Sequence, residues 1–160
     1  MIKSSPDYSL KVDGVEGFYP AGETWAKNNL SEGKIPVFSC EGPCIRGEIA
    51  RLAANMVAEV EPYARCCHAE VFCVPHSSMG RWANESSKAV MIDGCSLGCH
   101  GRILKNIIDE EKIIHIDAFP LYKKYTEIFL MDDVPEEERK EVACLVAYKI
   151  LTKLKNDENL

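Results

Sequence analysis

The sequence lacks the features that would assign it to a membrane, to nucleic acid or to an export pathway. No apolar run approaches the roughly 20 residues that a membrane span requires. The 19 Lys and Arg residues are scattered among 25 Asp and Glu, and the formal net charge of −6 argues against nucleic acid or anionic lipid as a partner. The N-terminus has no basic segment followed by an apolar one, so no export signal is expected and the cytoplasm is the expected location.

Cysteine, by contrast, is plentiful. The chain has 160 residues, enough to bury a core as one domain without disulfides, and it carries eight cysteines. Disulfides are rare in the cytosol, where thiols serve metal binding or redox chemistry. We therefore expect a cysteine-based metal or redox site and not a disulfide framework.

The chain is organised around residues 88–106, where an apolar run leads into two cysteines. Residues 89–92 read Ala-Val-Met-Ile, which is typical of a short strand buried on both faces. An Asp-Gly pair breaks the run, Cys95 and Cys99 follow, and residues 103–108 carry apolar side chains at helical spacing. The two thiols therefore lie where a strand turns into a helix, which is where ligands bind in open parallel sheets.

An earlier stretch of the chain repeats this arrangement. Residues 35–39 are mainly apolar, Cys40 and Cys44 follow at the same Cys-x3-Cys spacing, and an amphipathic helix comes next. Two strand–Cys-x3-Cys–helix units on adjacent parallel strands would face each other. We therefore expect several thiolates to converge at the carboxyl ends of the strands.

Strands alternate with helices along the rest of the chain. The predicted strands are residues 35–39, 69–74, 89–92 and 112–117; the predicted helices are residues 43–61, a short segment capped by Ser77 or Ser78, a segment ending near Asp109, and a last helix opening at Asp133. This pattern predicts a single α/β domain in which a parallel sheet of about four strands carries helices on both faces.

The first 33 residues are polar and rich in turn signals, yet they hold much aromatic mass. Tyr8, Phe18, Tyr19 and Trp25 all lie there. Because exposed aromatic patches are usually avoided, we expect residues 1–33 to be an extension packed on the core and not a flap over the cysteines. Residues 34–155 then form the α/β domain.

Zinc is the metal that the cysteine pattern favours. Thiolates bind Zn²⁺ tetrahedrally at Zn–S distances of about 2.3 Å. Five cysteines compete for four places: Cys40, Cys44, Cys73, Cys95 and Cys99. Cys73, flanked by Phe72 and Val74, is equally well interpreted as a core residue. An iron–sulfur cluster would use the same thiolates and is left open.

Three segments of the chain resemble the DGC-domain family of small proteins to which zinc binding is attributed. They are Val-Phe-Ser-Cys-Glu-Gly at residues 37–42, Val-Phe-Cys-Val at residues 71–74 and Met-Ile-Asp-Gly-Cys-Ser-Leu-Gly-Cys at residues 91–99. The resemblance spans roughly residues 35–116. It implies a Rossmann-like fold and four chelating cysteines, which are Cys40, Cys73, Cys95 and Cys99 here. It implies no reaction, because the family has no established one.

This chain departs from the family pattern after Cys73. The family tends to have small residues and glycine there, whereas this chain reads Pro-His-Ser-Ser at residues 75–78. His76 is therefore a candidate ligand or proton carrier.

A thiol enzyme is the alternative interpretation. Residues 40–46 read Cys-x5-Arg between a strand and a helix, which is similar to low-molecular-weight tyrosine phosphatases and arsenate reductases. That resemblance implies Cys40 as nucleophile, Arg46 as oxyanion clamp and Cys95 or Cys99 as resolving thiol. Gly47 replaces the hydroxyl residue that usually follows the Arg, no Asp-Pro acid loop is found near the C-terminus, and Pro43 removes one N–H from the loop.

The remaining candidate residues are expected to be structural. Cys66, Cys67 and His68 are predicted at the entry of the strand at residues 69–74, on the opposite edge of the sheet from the site. The others are assigned as follows: His100 to the first turn of a helix, Asp93 to a helix cap, His115 to a strand position with a hydrogen-bond partner, and Cys144 to the core.

Taken together, the sequence predicts a zinc centre built from Cys40, Cys95, Cys99 and either Cys73 or Cys44. Its expected role is structural or metal-handling, because four protein ligands leave zinc no open position. The sequence leaves open whether the protein pairs with a second copy or with another protein.

Overall fold

The computed structural model describes residues 6–157. Within that range the chain forms four strands and seven α-helices. The strands are β1 (Ile35–Ser39), β2 (Tyr63–Arg65), β3 (Ala89–Asp93) and β4 (Ile113–Asp117). The helices are α1 (Pro20–Ser31), α2 (Ile45–Val57), α3 (His68–Cys73), α4 (Ser78–Glu85), α5 (Cys99–Leu104), α6 (Phe119–Tyr122) and α7 (Glu136–Asp157).

All four strands are parallel and form one sheet in the order β2-β1-β3-β4. After β1 the chain crosses to β2 on one side of β1, and after β2 it crosses back to β3 on the other side of β1. The strand order therefore reverses between β1 and β3. Ligands of open α/β sheets bind at the carboxyl ends of the strands at this point. Ser39 is in register with Ile92, which brings Cys40 after β1 beside Asp93 at the end of β3.

The sheet is covered on both faces. Helices α2 and α7 pack on one face, where Val37, Val90 and Ile92 are fully buried. Side chains of α1, α3, α4 and α5 pack on the other face, where Phe38 and Met91 are fully buried. A central strand buried on two faces reads as a continuous apolar run, as residues 89–92 do. The prediction of a single α/β, Rossmann-like domain with helices on both faces is confirmed.

One predicted strand is wrong. Residues 69–74 are not a strand, because all but the last of them lie in α3, and the second strand is the three-residue β2. A short apolar run does not distinguish a buried strand from a buried helical turn. In α3 the side chain of Val71 is fully buried whereas Cys73 is exposed.

Because of this error, the prediction also placed three further residues at the wrong edge of the sheet. Because β2 ends at Arg65, Cys66, Cys67 and His68 leave the sheet at its carboxyl edge, and Cys66 N bonds to Val37 O at 3.0 Å. The prediction that they lie at the opposite edge from the site is therefore also wrong.

The other predicted elements lie close to their expected positions. β1, β3 and β4 agree with the predicted strands to within a residue or two, and Ser77 caps α4 by accepting a hydrogen bond from Gly80 N at 3.2 Å. The acidic run at the start of α7 occupies its first turn, where it suits the helix dipole. α5 ends at Leu104, earlier than the predicted boundary near Asp109.

The N-terminal region has two parts with different surroundings. Helix α1 packs against α4, and Glu23 accepts a hydrogen bond from Ser78 N at 2.9 Å. Residues 6–19 are exposed, and Tyr8 and Leu10 retain 86% and 79% of their accessible surface. The division at residues 33 and 34 stays a prediction. Within residues 6–157, no helix has the length and apolar character to cross a bilayer.

The two tryptophans allow a test of the packing. Trp82 is fully buried and donates a hydrogen bond from Nε1 to Lys34 O at 3.0 Å, whereas Trp25 is half exposed. We expect Trp82→Ala to lower the free energy of unfolding by about 3–5 kcal/mol, because it removes a large core side chain. The matched Trp25→Ala variant should cost about 1 kcal/mol. Urea unfolding followed by circular dichroism measures both values, and equal losses would contradict the described packing.

Candidate metal centre

Two loops meet at the carboxyl edge of the sheet, one after β1 and one after β3. The contact depends on Gly94, where a Cβ atom would lie 2.5 Å from Arg46 O and 2.9 Å from Gly47 N. Gly47 in turn supports the preceding loop, because its own Cβ would lie 2.6 Å from Gly42 O. The glycine of the Asp-Gly-Cys motif is therefore required by the approach of the β3–α5 loop to the first turn of α2.

Asp93 holds the second loop in place. Its side chain is 1% exposed and accepts hydrogen bonds from Gly101 N at 2.9 Å and from His100 N at 3.2 Å. Its Oδ2 atom also lies 2.8 Å from Nε2 of His115 on β4. The carboxylate thus caps α5 from the end of a neighbouring strand, which agrees with the interpretation of Asp93 as a helix cap and of His115 as a partnered strand residue.

Asp93 also belongs to a group of candidate metal ligands. Within the described residues, one group of three His, Cys, Asp or Glu side chains has ligand atoms that lie within 4.8 Å of one another: Cys40, Asp93 and His100. They come from the end of β1, the end of β3 and the first turn of α5. The structure therefore contains a Cys-Asp-His cluster at the point where the strand order reverses.

The residues of this cluster fit a metal ion. Nδ1 of His100 is buried and has no hydrogen-bond partner in the described part of the chain, which is costly unless another group binds it. A thiolate, a carboxylate and an imidazole are all donors that Zn²⁺ accepts. Zinc–ligand lengths of about 2.0–2.3 Å place tetrahedral ligands roughly 3.3–3.8 Å apart, so the three atoms need to approach by at most about 1.5 Å.

Aromatic rings surround the imidazole of His100. The ring of His68 packs against it at a centroid distance of 4.6 Å and an angle of 86°, and the ring of Phe72 lies at 6.0 Å. The pKa of His68 is lowered, first by burial and then by the nearby His100, although Glu41 opposes the shift. His68 is therefore an uncharged imidazole at neutral pH.

The five cysteines predicted as ligands have different environments. Cys40 belongs to the cluster, whereas Cys44, Cys73, Cys95 and Cys99 do not. Cys44 caps α2, its Sγ atom accepting a hydrogen bond from Gly47 N at 3.4 Å. Cys95 is half-buried in the β3–α5 loop, Cys99 is exposed at the start of α5, and Cys73 is exposed at the end of α3.

Cys40 and Cys44 both lie beside Gly42. Their Sγ atoms lie 3.9 Å and 3.7 Å from the position that a Cβ of Gly42 would take. Cys66, by comparison, is fully enclosed, and burial raises the pKa of its thiol well above the ordinary value. Cys66 is therefore a protonated core residue.

Sequence reasoning did not select Asp93 or His100 as ligands. Both follow the apolar run of β3 closely, so a search for any metal-binding side chain at a strand end would have found them. His68 was missed because the second strand was misplaced. His76, also a candidate in the sequence, is exposed and packs against Phe18 at a ring centroid distance of 5.5 Å.

Two backbone N–H groups of the Cys-x5-Arg segment are bound within the fold. Cys40 N donates to Ile92 O at 2.9 Å and Ile45 N donates to Phe129 O at 2.8 Å. Gly47 N is bound to the sulfur of Cys44. An oxyanion cradle requires such N–H groups to converge on one ligand. These bonds withdraw three N–H groups from such a cradle, and the guanidinium of Arg46 lies 4.2 Å above the ring of Phe119. Both observations favour the metal site over a phosphate-binding loop.

Comparison with known proteins gives one match. A family model described as DGC domain matches residues 36–146, more than two thirds of the 160-residue chain. No curated protein and no solved structure matches the chain.

The loop contact at Gly94 generates a prediction. We expect Gly94→Ala to lower the free energy of unfolding by about 1–3 kcal/mol, because the added methyl group meets the rigid backbone of α2. Gly14→Ala is the matched control, because its Cβ would meet nothing within 4 Å, and it should change stability by less than about 0.5 kcal/mol. Chemical denaturation measures both, and a neutral Gly94→Ala would show that the loops do not touch in this way.

Proposed function

The chain belongs to the DGC-domain family, and on that premise we propose that it binds zinc at the carboxyl ends of β1 and β3. The observation that carries the proposal is the cluster of Cys40, Asp93 and His100, whose ligand atoms lie within 4.8 Å of one another. The buried, unpartnered Nδ1 of His100 supports it, because a metal ion would supply the missing interaction.

The fourth zinc ligand is a cysteine of the β3–α5 loop. Both Cys95 and Cys99 precede the turn of α5 that Asp93 holds in place, and the sequence predicts both as ligands. Cys95 is half-buried and Cys99 is exposed, so neither thiol is enclosed in the core and a movement of this segment would bring one thiolate to the ion. Four protein ligands close the coordination shell, which supports a structural or metal-handling role over catalysis.

The donor set favours a single zinc ion over an iron–sulfur cluster. Such clusters are held by cysteine thiolates, usually four. The cluster in this chain combines one thiolate with a carboxylate and an imidazole. Mixed nitrogen, oxygen and sulfur donors are typical of zinc.

Metal analysis of cysteine variants tests the proposal. Protein purified anaerobically should contain about one zinc per chain, as a single four-coordinate site requires. Cys40→Ser and His100→Ala should each lose most of this zinc, because each removes a ligand. Cys144→Ser is the matched control, since Cys144 is an exposed thiol on α7, and it should keep the metal.

Two further variants identify the fourth ligand. Zinc lost in Cys95→Ser but kept in Cys99→Ser assigns Cys95, and the reverse assigns Cys99. Stoichiometric zinc in Cys40→Ser and His100→Ala, measured by elemental analysis, would refute the site. Wild-type protein that binds neither added Zn²⁺ nor Co²⁺ would refute the function.

The phosphatase alternative has its own test. We expect no hydrolysis of an aryl phosphate and no thiol-dependent arsenate reduction above background, because three N–H groups near Arg46 and Cys40 are bound elsewhere and Arg46 packs over Phe119. Activity is measured with and without a chelator in the wild type and in Cys40→Ser. Turnover that disappears in Cys40→Ser and is unaffected by the chelator would establish the thiol-enzyme alternative and refute the zinc proposal.

A further inference from the structure

His100 is enclosed by two side chains from one face of α3. His68 and Phe72 are four residues apart and therefore lie on the same side of the helix. The rings of His68 and His100 meet edge to face at 4.6 Å, and Phe72 completes the enclosure at 6.0 Å. His68 and Phe72 also contact each other at 5.5 Å, so the three rings form one packed unit.

This ring unit lies beside the end of β1. Nδ1 of His68 lies 3.8 Å from Oε1 of Glu41, the residue after Cys40. The same carboxylate oxygen accepts a hydrogen bond of 2.6 Å from Arg65 at the end of β2. Arg65 also donates to Val37 O at 3.0 Å and to Ser39 Oγ at 2.9 Å, both on β1. Glu41 is thereby held against β1, and His68 lies next to it, close to the strand that positions Cys40.

Ring packing sets the direction in which His100 presents Nδ1. This nitrogen has no hydrogen-bond partner in residues 6–157 and lies 4.0 Å from Oδ1 of Asp93, so it is the ring nitrogen available to a metal ion. A metal-binding histidine needs its ring held in one orientation by the groups around it. For His100 the contacts with His68 and Phe72 restrict the rotation of the imidazole.

We infer that His68 is a positioning residue, which holds the imidazole of His100 toward Cys40 and Asp93 and so sets the metal affinity of the centre. This inference rests on the proposed zinc site. His68 itself is not a ligand, because its nitrogens lie outside the group of three and its ring contacts His100 edge to face. The contact requires an aromatic ring at position 68, and it does not require a nitrogen.

The experiment compares His68→Ala, His68→Phe and the control His76→Ala, which removes an exposed histidine. Affinity for Zn²⁺ is measured by competition with a chromogenic chelator. The absorption spectrum of the Co²⁺-loaded protein reports the ligand set. His68→Ala should weaken zinc binding about 10- to 100-fold, the usual loss when an orienting partner is removed. His68→Phe and His76→Ala should stay within about threefold of the wild type, and all Co²⁺ spectra should be unchanged in shape.

Several results would overturn the inference. Unchanged affinity in His68→Ala would show that the ring contact does not matter. Equal losses in His68→Phe and His68→Ala, with an altered Co²⁺ spectrum, would show that His68 is a ligand. In both cases the wild type still binds metal, so the proposed function survives; a wild type that binds no metal removes the function itself.

A second variant protects the test against misfolding. If His68→Ala does not fold, His68→Leu keeps apolar bulk at this position but removes the ring that packs against His100. Zinc affinity should then fall several-fold with the Co²⁺ spectrum unchanged. Wild-type affinity in His68→Leu would refute the positioning role.

Discussion

The buried carboxylate of Asp93 is the constraint on which the carboxyl edge of the sheet depends. An ionised side chain that is 1% exposed is costly unless hydrogen bonds satisfy it. Two backbone N–H groups of α5 and the ring of His115 supply those bonds. The same bonds fix where α5 begins, and therefore where His100 lies relative to Cys40. The hydrogen bonds that cap α5 therefore also position His100, a candidate ligand, relative to Cys40.

The space around this carboxylate explains the glycines near it. At Gly101 a Cβ would lie 2.8 Å from Oδ2 of Asp93 and 2.7 Å from Nε2 of His115. At Gly98, which has φ of +56°, it would lie 3.2 Å from Cε1 of His115. Together with Gly94 against α2, these positions let two loops and one helix approach a single side chain. The Gly residues of the motif therefore follow from packing, independently of any metal.

The sequence predicted the parts of this centre that depend on buried strands. The apolar runs of β1 and β3 are unambiguous, so the location of Cys40 at a strand end could be predicted, and parallel order brings it beside Asp93. The apolar run of α3 is as short as a strand, so periodicity could not separate the two, and His68 was placed on the wrong edge. The side-chain directions of Cys95 and Cys99 depend on loop geometry that no residue spacing encodes.

The net charge of the zinc complex favours a mixed ligand set over the four thiolates that the sequence suggested. Zn²⁺ bound by four thiolates carries a net charge of −2, which needs nearby cations or N–H donors in a partly buried site. Two arginines at this edge of the sheet are already engaged, because Arg65 is paired with Glu41 and Arg46 lies over Phe119. Zn²⁺ with Cys40, Asp93 and neutral His100 carries no net charge. A thiolate from Cys95 or Cys99 as fourth ligand adds a single negative charge. The other of these two cysteines is then free to replace a ligand of the ion, which suits a protein that handles metal better than one that only stores it.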